Sequence, residues 1–198
     1  MLLSTLSQYF EKLEQTSSKL TLIDILAELF SKVSGSEIGM VSYLLQGRVA
    51  PFYEATEIGM SEKLVAAAIA RAYDVDREEV LKEYGKVGDL GKVALRLTTL
   101  AQDFDGEPFG SELRAELLSR TGKLQKEYRL SVEEVFETLR EIAGMSGEGT
   151  VEKKISSLAG LLKKVDGVGA KHLVRIPLGV SRLGIGDPTV LDAFAKAK

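Results

Sequence analysis

The sequence predicts an all-α chain of about ten to twelve short helices in an irregular bundle, and three observations predict it. Apolar residues recur at helical spacing along most of the 198 residues. Capping residues open these runs and glycines close them. No stretch keeps up a two-residue alternation of β-branched or aromatic residues between hairpin turns, and no fixed period marks a solenoid.

The elements follow in order. Thr21, with Asp24 three residues on, opens a helix carrying Leu22, Ile25, Leu26, Leu29 and Phe30, and Gly35 closes it. Ser61 opens EKLVAAAIARAY. Asp76 with Glu79 opens a short helix that stops at Gly85, and Ser131 with Glu134 forms a capping box before VFETLREIAG. Thr150 opens VEKKISSLAGLLKK. Asp187 caps a last helix with Pro188 at its first position, where a missing N–H costs nothing. VRIPLGV is the best strand candidate, but its surroundings favour a helix broken or kinked at Pro177. The segment 101–130 is the least regular. Gly, Pro and acidic residues interrupt its pattern, and it is expected to project from a single domain spanning 1–198.

Composition narrows the function. There is no cysteine, which removes disulfides, thiolate metal sites and a cysteine nucleophile. The single histidine, His172, leaves neither a His-rich metal site nor an HExxH motif. No apolar run approaches the roughly 20 residues of a membrane helix, and the N-terminus lacks a signal-peptide pattern. A cytoplasmic protein without a membrane partner is expected. Carboxylates show no distinctive pairing, so no catalytic residue and no metal ligand is assigned.

Charge is uneven. Residues 1–150 hold 17 Lys+Arg against 25 Asp+Glu, a net of −8, while residues 151–198 hold 9 against 4, a net of +5. The basic part, placed at 142–198, suits an anionic partner, although a solvated basic helix face reads equally well from charge alone.

Three turns dense in glycine lie in or next to this part: GMSGEGT at 144–150, DGVG at 166–169 and LGIGDPT at 183–189. A helix start leaves about four N–H groups unpaired, and glycine lets a phosphate approach them closely. Each turn alone also fits a plain helix connection. Lys153 and Lys154 lie in the first turn after Thr150, Lys171 and Arg175 form an i, i+4 pair, and Arg182 precedes LGIG. Cations in a helix's first turn oppose its dipole, which makes better sense if an anion sits there.

LLKKVDGVGAKHLV resembles a helix-hairpin-helix element that grips a nucleic-acid backbone through Gly167-Val168-Gly169. Lys164-Val165-Asp166-Gly167 matches the KxDG pattern of nucleotidyltransferases. It is rejected as catalytic, because no arginine stands two places after the glycine and only 31 residues follow it.

Four segments in order carry a family resemblance. They are YLLQGRVAPFYEATEIGMSEKLVAAAIA at 43–70, YGKVGDLGKVA at 84–94, IAGMSGEGTVEKKISSLAGLL at 142–162 and AKHLVRIPLGVSRLGIGDPTVLDAFA at 170–195. Together they resemble the N-terminal DNA-binding domain of ATP-dependent DNA ligases of the archaeal and eukaryotic type, over most of the chain.

The resemblance implies an all-helical domain that lies across the minor groove of nicked duplex DNA, contacts phosphates on both sides of the break and reads no sequence. By matching positions, the expected phosphate-side residues are Gly147, Gly149, Thr150, Lys153 and Lys154, then Lys171, Arg175, Arg182, Gly184 and Gly186. Gly88, Asp89, Gly91 and Lys92 would shape a further turn at the backbone. The family's adenylation and OB-fold domains are absent, so the chain reads as an isolated monomeric domain that should not seal nicks alone and carries no cofactor. The full enzyme would need ATP, a divalent metal such as magnesium and a lysine nucleophile beyond residue 198, and would serve DNA replication, repair and recombination in the nucleoid-associated cytoplasm.

An alternative reading is a protein-interaction module. Gln102, Phe104 and Phe109 weakly echo the Gln-and-aromatic motif with which archaeal family members dock a sliding clamp. A helical scaffold without a nucleic-acid role is a third reading.

Overall fold

A computed structural model describes residues 1–99 and 128–197. The projecting segment and the clamp-motif residues Gln102, Phe104 and Phe109 lie outside the described residues. The fold is all-α. Among the described residues there are ten helices and no strand: α1 Leu3–Glu14, α2 Lys19–Lys32, α3 Ile38–Leu45, α4 Glu62–Tyr73, α5 Arg77–Val87, α6 Leu90–Thr99, α7 Val132–Gly144, α8 Thr150–Leu162, α9 Gly167–Arg175 and α10 Asp187–Ala197. None is long and apolar enough to cross a membrane. The only pairing of extended backbone among them is an isolated antiparallel bridge between Leu2 and Ser131.

α9 is the central helix. Seven of its nine residues are buried, and it packs against α6 and α1. α2 pairs with α10, α4 with α8, and α7 sits against α8 and α3. One core joins them through side chains such as Leu6, Leu26, Leu44, Ile69, Val93, Leu139, Leu158 and Leu173, all completely buried. Burial of this kind supplies most of the drive to fold, at about 25 cal/mol per Å² of apolar surface.

The capping signals set most helix starts. Ser131 Oγ accepts from the Glu134 amide at 3.0 Å, as its capping box requires, and Ser61 precedes α4 in extended backbone. Four boundaries differ from the sequence pattern. α2 starts at Lys19 because Ser18, an earlier residue of the same capping type, accepts from the Thr21 amide at 3.4 Å. α5 continues past Gly85, which faces open space, and stops where Gly88 turns left-handed with φ +68° and its amide bonds Tyr84 O at 2.7 Å. α8 is capped by Gly149, so Thr150 is its first residue. In α10 the first bonds, from the Thr189 and Val190 amides, go to Gly186 O at 3.0 and 3.2 Å, which makes Asp187 the opening residue.

At VRIPLGV the helix ends before Pro177. Arg175 closes α9, and a turn follows in which the Val180 amide bonds Arg175 O at 3.1 Å.

The DGVG glycines do not form an open hairpin. Both lie inside α9, where Asp166 caps the helix by accepting from the Gly169 amide at 2.6 Å. A Cβ on Gly167 would stand 2.8 Å from Thr98 Oγ1, so this glycine exists to seat α9 on α6. Two helices, α8 and α9, do flank this turn, with both glycines in the first turn of α9. Asp166 of the KxDG pattern is a helix cap, and Lys164 is paired with Glu134 at 2.6 Å.

Candidate nucleic-acid interface

The turn before α8 is built from two left-handed glycines, Gly147 at φ +96° and Gly149 at φ +77°. Residues with a Cβ resist this conformation, which brings the chain sharply into the helix and leaves open space where side chains would stand. Thr150 Oγ1 closes the turn by donating to Gly147 O at 2.9 Å. The amides of the first turn of α8 have no partner within the helix, and its dipole adds positive potential there. Lys153 is exposed beside them. Lys154 reaches sideways and donates to Ile58 O at 3.1 Å.

That bond ties α8 to the loop between α3 and α4. The loop meets the chain after α9, since a Cβ on Gly47 would lie 3.5 Å from Gly179 Cα. Between residues 47–61 and 176–179 runs an open groove of about 630 Å³. On its rim Phe52 and Tyr53 are 78% and 87% exposed, and the Arg48 guanidinium lies 3.9 Å from the centre of the Phe52 ring.

The chain after α9 continues to Arg182, which is left-handed at φ +57°, a conformation that costs a non-glycine residue on the order of 1 kcal/mol. Its side chain explains why the position is held. Nη2 donates to Gly88 O at 3.1 Å, and Nε lies 3.6 Å from Asp89 Oδ2, while half of the side chain stays exposed. Asp89 itself starts α6, accepting from the Gly91 and Lys92 amides at 2.9 and 3.3 Å. Gly91 permits the close approach of α6 to α9, because a Cβ there would meet Lys171 O at 2.5 Å. Lys92 is exposed at this corner, and Gly184 and Gly186 are exposed in the chain that follows Arg182.

Lys171 and Arg175 share a face, as their spacing requires, but it is the face turned to α1. They are 6% and 1% exposed. Arg175 forks onto Glu14 at 2.9 and 3.1 Å and onto Asp89 through Nη2 at 2.5 Å. Lys171 binds Glu11 and lies 2.8 Å from Glu14. Both cations are therefore occupied in the interior, with no free edge at the surface for a phosphate. The signal that could have placed them is the Glu11/Glu14 pair at the end of α1.

His172 completes the cluster, its Nε2 2.7 Å from Glu11 Oε1 and its ring edge-on to Phe10 at 5.2 Å. Burial lowers its pKa to about 4 against the opposing pull of Glu11, so the ring is neutral at pH 7 and donates from Nε2. Glu14 is also shifted. Burial would raise it, but the hydrogen bonds from Arg175 and Lys171 win and bring it down to about 2. Burial likewise works against the Asp89 carboxylate, yet the bond and charge of Arg175 hold it below the usual range. Glu11, Glu14 and His172 stand close enough together to ligate a cation, but the ammonium of Lys171 already occupies the carboxylates.

The structure thus gathers the expected residues into two surface groups. Gly88, Lys92 and Arg182 meet at the start of α6, with Gly91 buried beneath them against α9 and Gly184 and Gly186 exposed in the chain that follows Arg182, and Gly147, Gly149, Thr150, Lys153 and Lys154 surround the start of α8. The 47–61 loop links them through Ile58 and Gly47. Arg48, on this link, is a cation that the motif comparison passed over.

The family described as DNA ligase N terminus matches residues 2–195. A probable DNA ligase of Dictyoglomus turgidum is 43% identical over 198 residues, covering all of this chain and 30% of the relative. DNA ligases of Sulfurisphaera tokodaii and Saccharolobus solfataricus are 43% and 42% identical over 193 residues, covering 97% of this chain and 30% of each relative. The chain spans about 30% of the length of these curated relatives.

Proposed function

The chain belongs to the DNA ligase N-terminus family, and on that premise we propose that it holds nicked duplex DNA by the phosphate backbone across the minor groove, without reading bases. The observation that carries the reading is the run of contacts from Lys154 to Ile58, from Gly47 to Gly179 and from Arg182 to Gly88. It ties two glycine-rich helix starts and their cations into one continuous surface. Glycine turns and unpaired amides offer close, neutral hydrogen bonding to phosphate oxygens, and Lys153, Lys92 and Arg182 add charge. Such contacts fix position and carry little sequence information. Arg175 serves this surface from within, by holding Asp89 and with it the first turn of α6 in place, while Lys171 binds Glu11 and Glu14.

The longer protein's activity belongs to the same proposal. It is sealing of nicks in DNA replication, repair and recombination with ATP and a divalent metal such as magnesium, whose chemistry residues outside this chain would carry out. The region described would keep the broken duplex in position.

The test is competition binding. A labelled nicked duplex bound to the protein should be displaced equally by unlabelled nicked duplexes of unrelated sequence. A strong preference for one sequence would contradict backbone recognition.

A further inference from the structure

Arg182 has an unusual combination of features. Its backbone is left-handed, where glycine would be unstrained, so the side chain must account for an arginine there. Among the described residues, the contacts of that side chain use Nη2 and Nε, toward Gly88 O and Asp89, while half of it remains exposed. Asp89 cannot follow if Arg182 moves. It is 4% exposed and gripped by Arg175, which is itself forked onto Glu14. The charges explain why Arg182 is held. Glu11, Glu14 and Asp89 bring three negative charges to the buried cluster, and Lys171 and Arg175 bring two positive ones, beside a neutral His172. One negative charge is left for Arg182 to balance.

We infer that Asp89 is a positioning residue for DNA binding. It holds one edge of the Arg182 guanidinium and so presents the other to a DNA phosphate, which makes the α5–α6 turn and the 179–186 loop bind as one unit. The inference rests on the DNA-binding reading above. A guanidinium has five donors in a rigid fork and can serve a carboxylate and a phosphate at once, which a lysine ammonium does less well.

The experiment is a double-mutant cycle in nicked-duplex affinity, followed by anisotropy across a range of salt, with Asp89→Asn and Arg182→Gln. Asparagine keeps Oδ1 as an acceptor for the Gly91 and Lys92 amides, while the oxygen facing Arg175 Nη2 and Arg182 Nε becomes an amide NH2, so the charge and the acceptor are both lost on that side. Arg182→Gln should weaken binding about tenfold and flatten the slope of log affinity against log salt by about 0.9. Asp89→Asn should weaken binding about threefold or more, although it removes a negative charge facing the DNA, and should have no further effect in the Arg182→Gln background. Tighter binding by Asp89→Asn would mean that the carboxylate merely competes for Arg182, and would overturn the inference. So would an equal loss in both backgrounds, the mark of a role in folding alone.

Arg182→Gly keeps the test decisive if Asp89→Asn fails to fold. Relief of the backbone strain offsets part of the loss of the Gly88 and Asp89 contacts, so the variant should fold while binding about tenfold more weakly. Wild-type affinity in this variant would overturn the inference. Failure of the wild type to bind any duplex at low salt would instead remove the DNA-binding reading itself.

Discussion

Arg175 and Glu14 meet as a two-pronged pair across α9 and α1, with Nη1 2.9 Å from Oε2 and Nη2 3.1 Å from Oε1. The guanidinium is almost wholly buried and also serves Asp89. Its removal would leave two carboxylates in the interior without their main partner. Arg175→Ala is therefore expected to cost about 3–5 kcal/mol of stability, read by urea unfolding. A loss below about 1 kcal/mol would show that the cluster is far more hydrated than its burial implies.

Gly91 and Gly85 make opposite predictions. A methyl group on Gly91 would press against the Lys171 carbonyl from 2.5 Å, so α6 and α9 must separate. Gly91→Ala should lower stability by about 2 kcal/mol or more. Gly85 lies in mid-helix with nothing within 4 Å, and Gly85→Ala should raise stability by about 0.5–1 kcal/mol. Melting temperatures of the two variants check both signs.

The cluster also sets a pH dependence. His172 is held neutral, its pKa falling from 6.5 to about 4 because of burial. Below pH 6.5 the unfolded chain takes up a proton that the folded one refuses, so this contribution is complete above pH 6.5 and is lost as pH falls towards 4. The full effect is on the order of 3 kcal/mol. Glu14 acts lower, stabilising above 4.5 and losing its contribution as pH falls towards 2. Thermal melts of the wild type should thus decline from pH 6.5 to 4, and His172→Gln should flatten that part of the profile. An unchanged slope in the variant would assign the decline to other groups.

The fold class was legible because helices announce themselves locally. Ser131 with Glu134 and Asp76 with Arg77–Val87 need only a few neighbouring residues to define a start. The eight-residue α3, IGMVSYLL, is apolar almost throughout and offers no periodicity to read. The surface groups were found through glycine turns, which are also local signals. Lys171 and Arg175 were not placed correctly by the same logic, because their partners Glu11 and Glu14 stand 160 and 161 positions away. An i, i+4 pair of cations marks a shared face, and only tertiary packing decides whether that face meets water or another helix. Gly167 shows the same limit, since a glycine that seats α9 on α6 looks in sequence like one that admits a phosphate.

The surface groups at the starts of α6 and α8 are expected to hold DNA, and the buried Lys171 and Arg175 are not. The most direct measurement is the slope of log affinity against log salt for a nicked duplex, taken for the wild type and for a variant with Lys153, Lys154 and Arg182 changed to Ala. With Lys92, Lys153, Lys154 and Arg182 as the surface cations, the wild-type slope should lie near about −3.6, shallower than the about −5.4 expected if Lys171 and Arg175 also met phosphates. The variant should keep its helical content and bind with a slope shallower by about 2 to 3. A variant that binds with the wild-type affinity and slope would contradict the account.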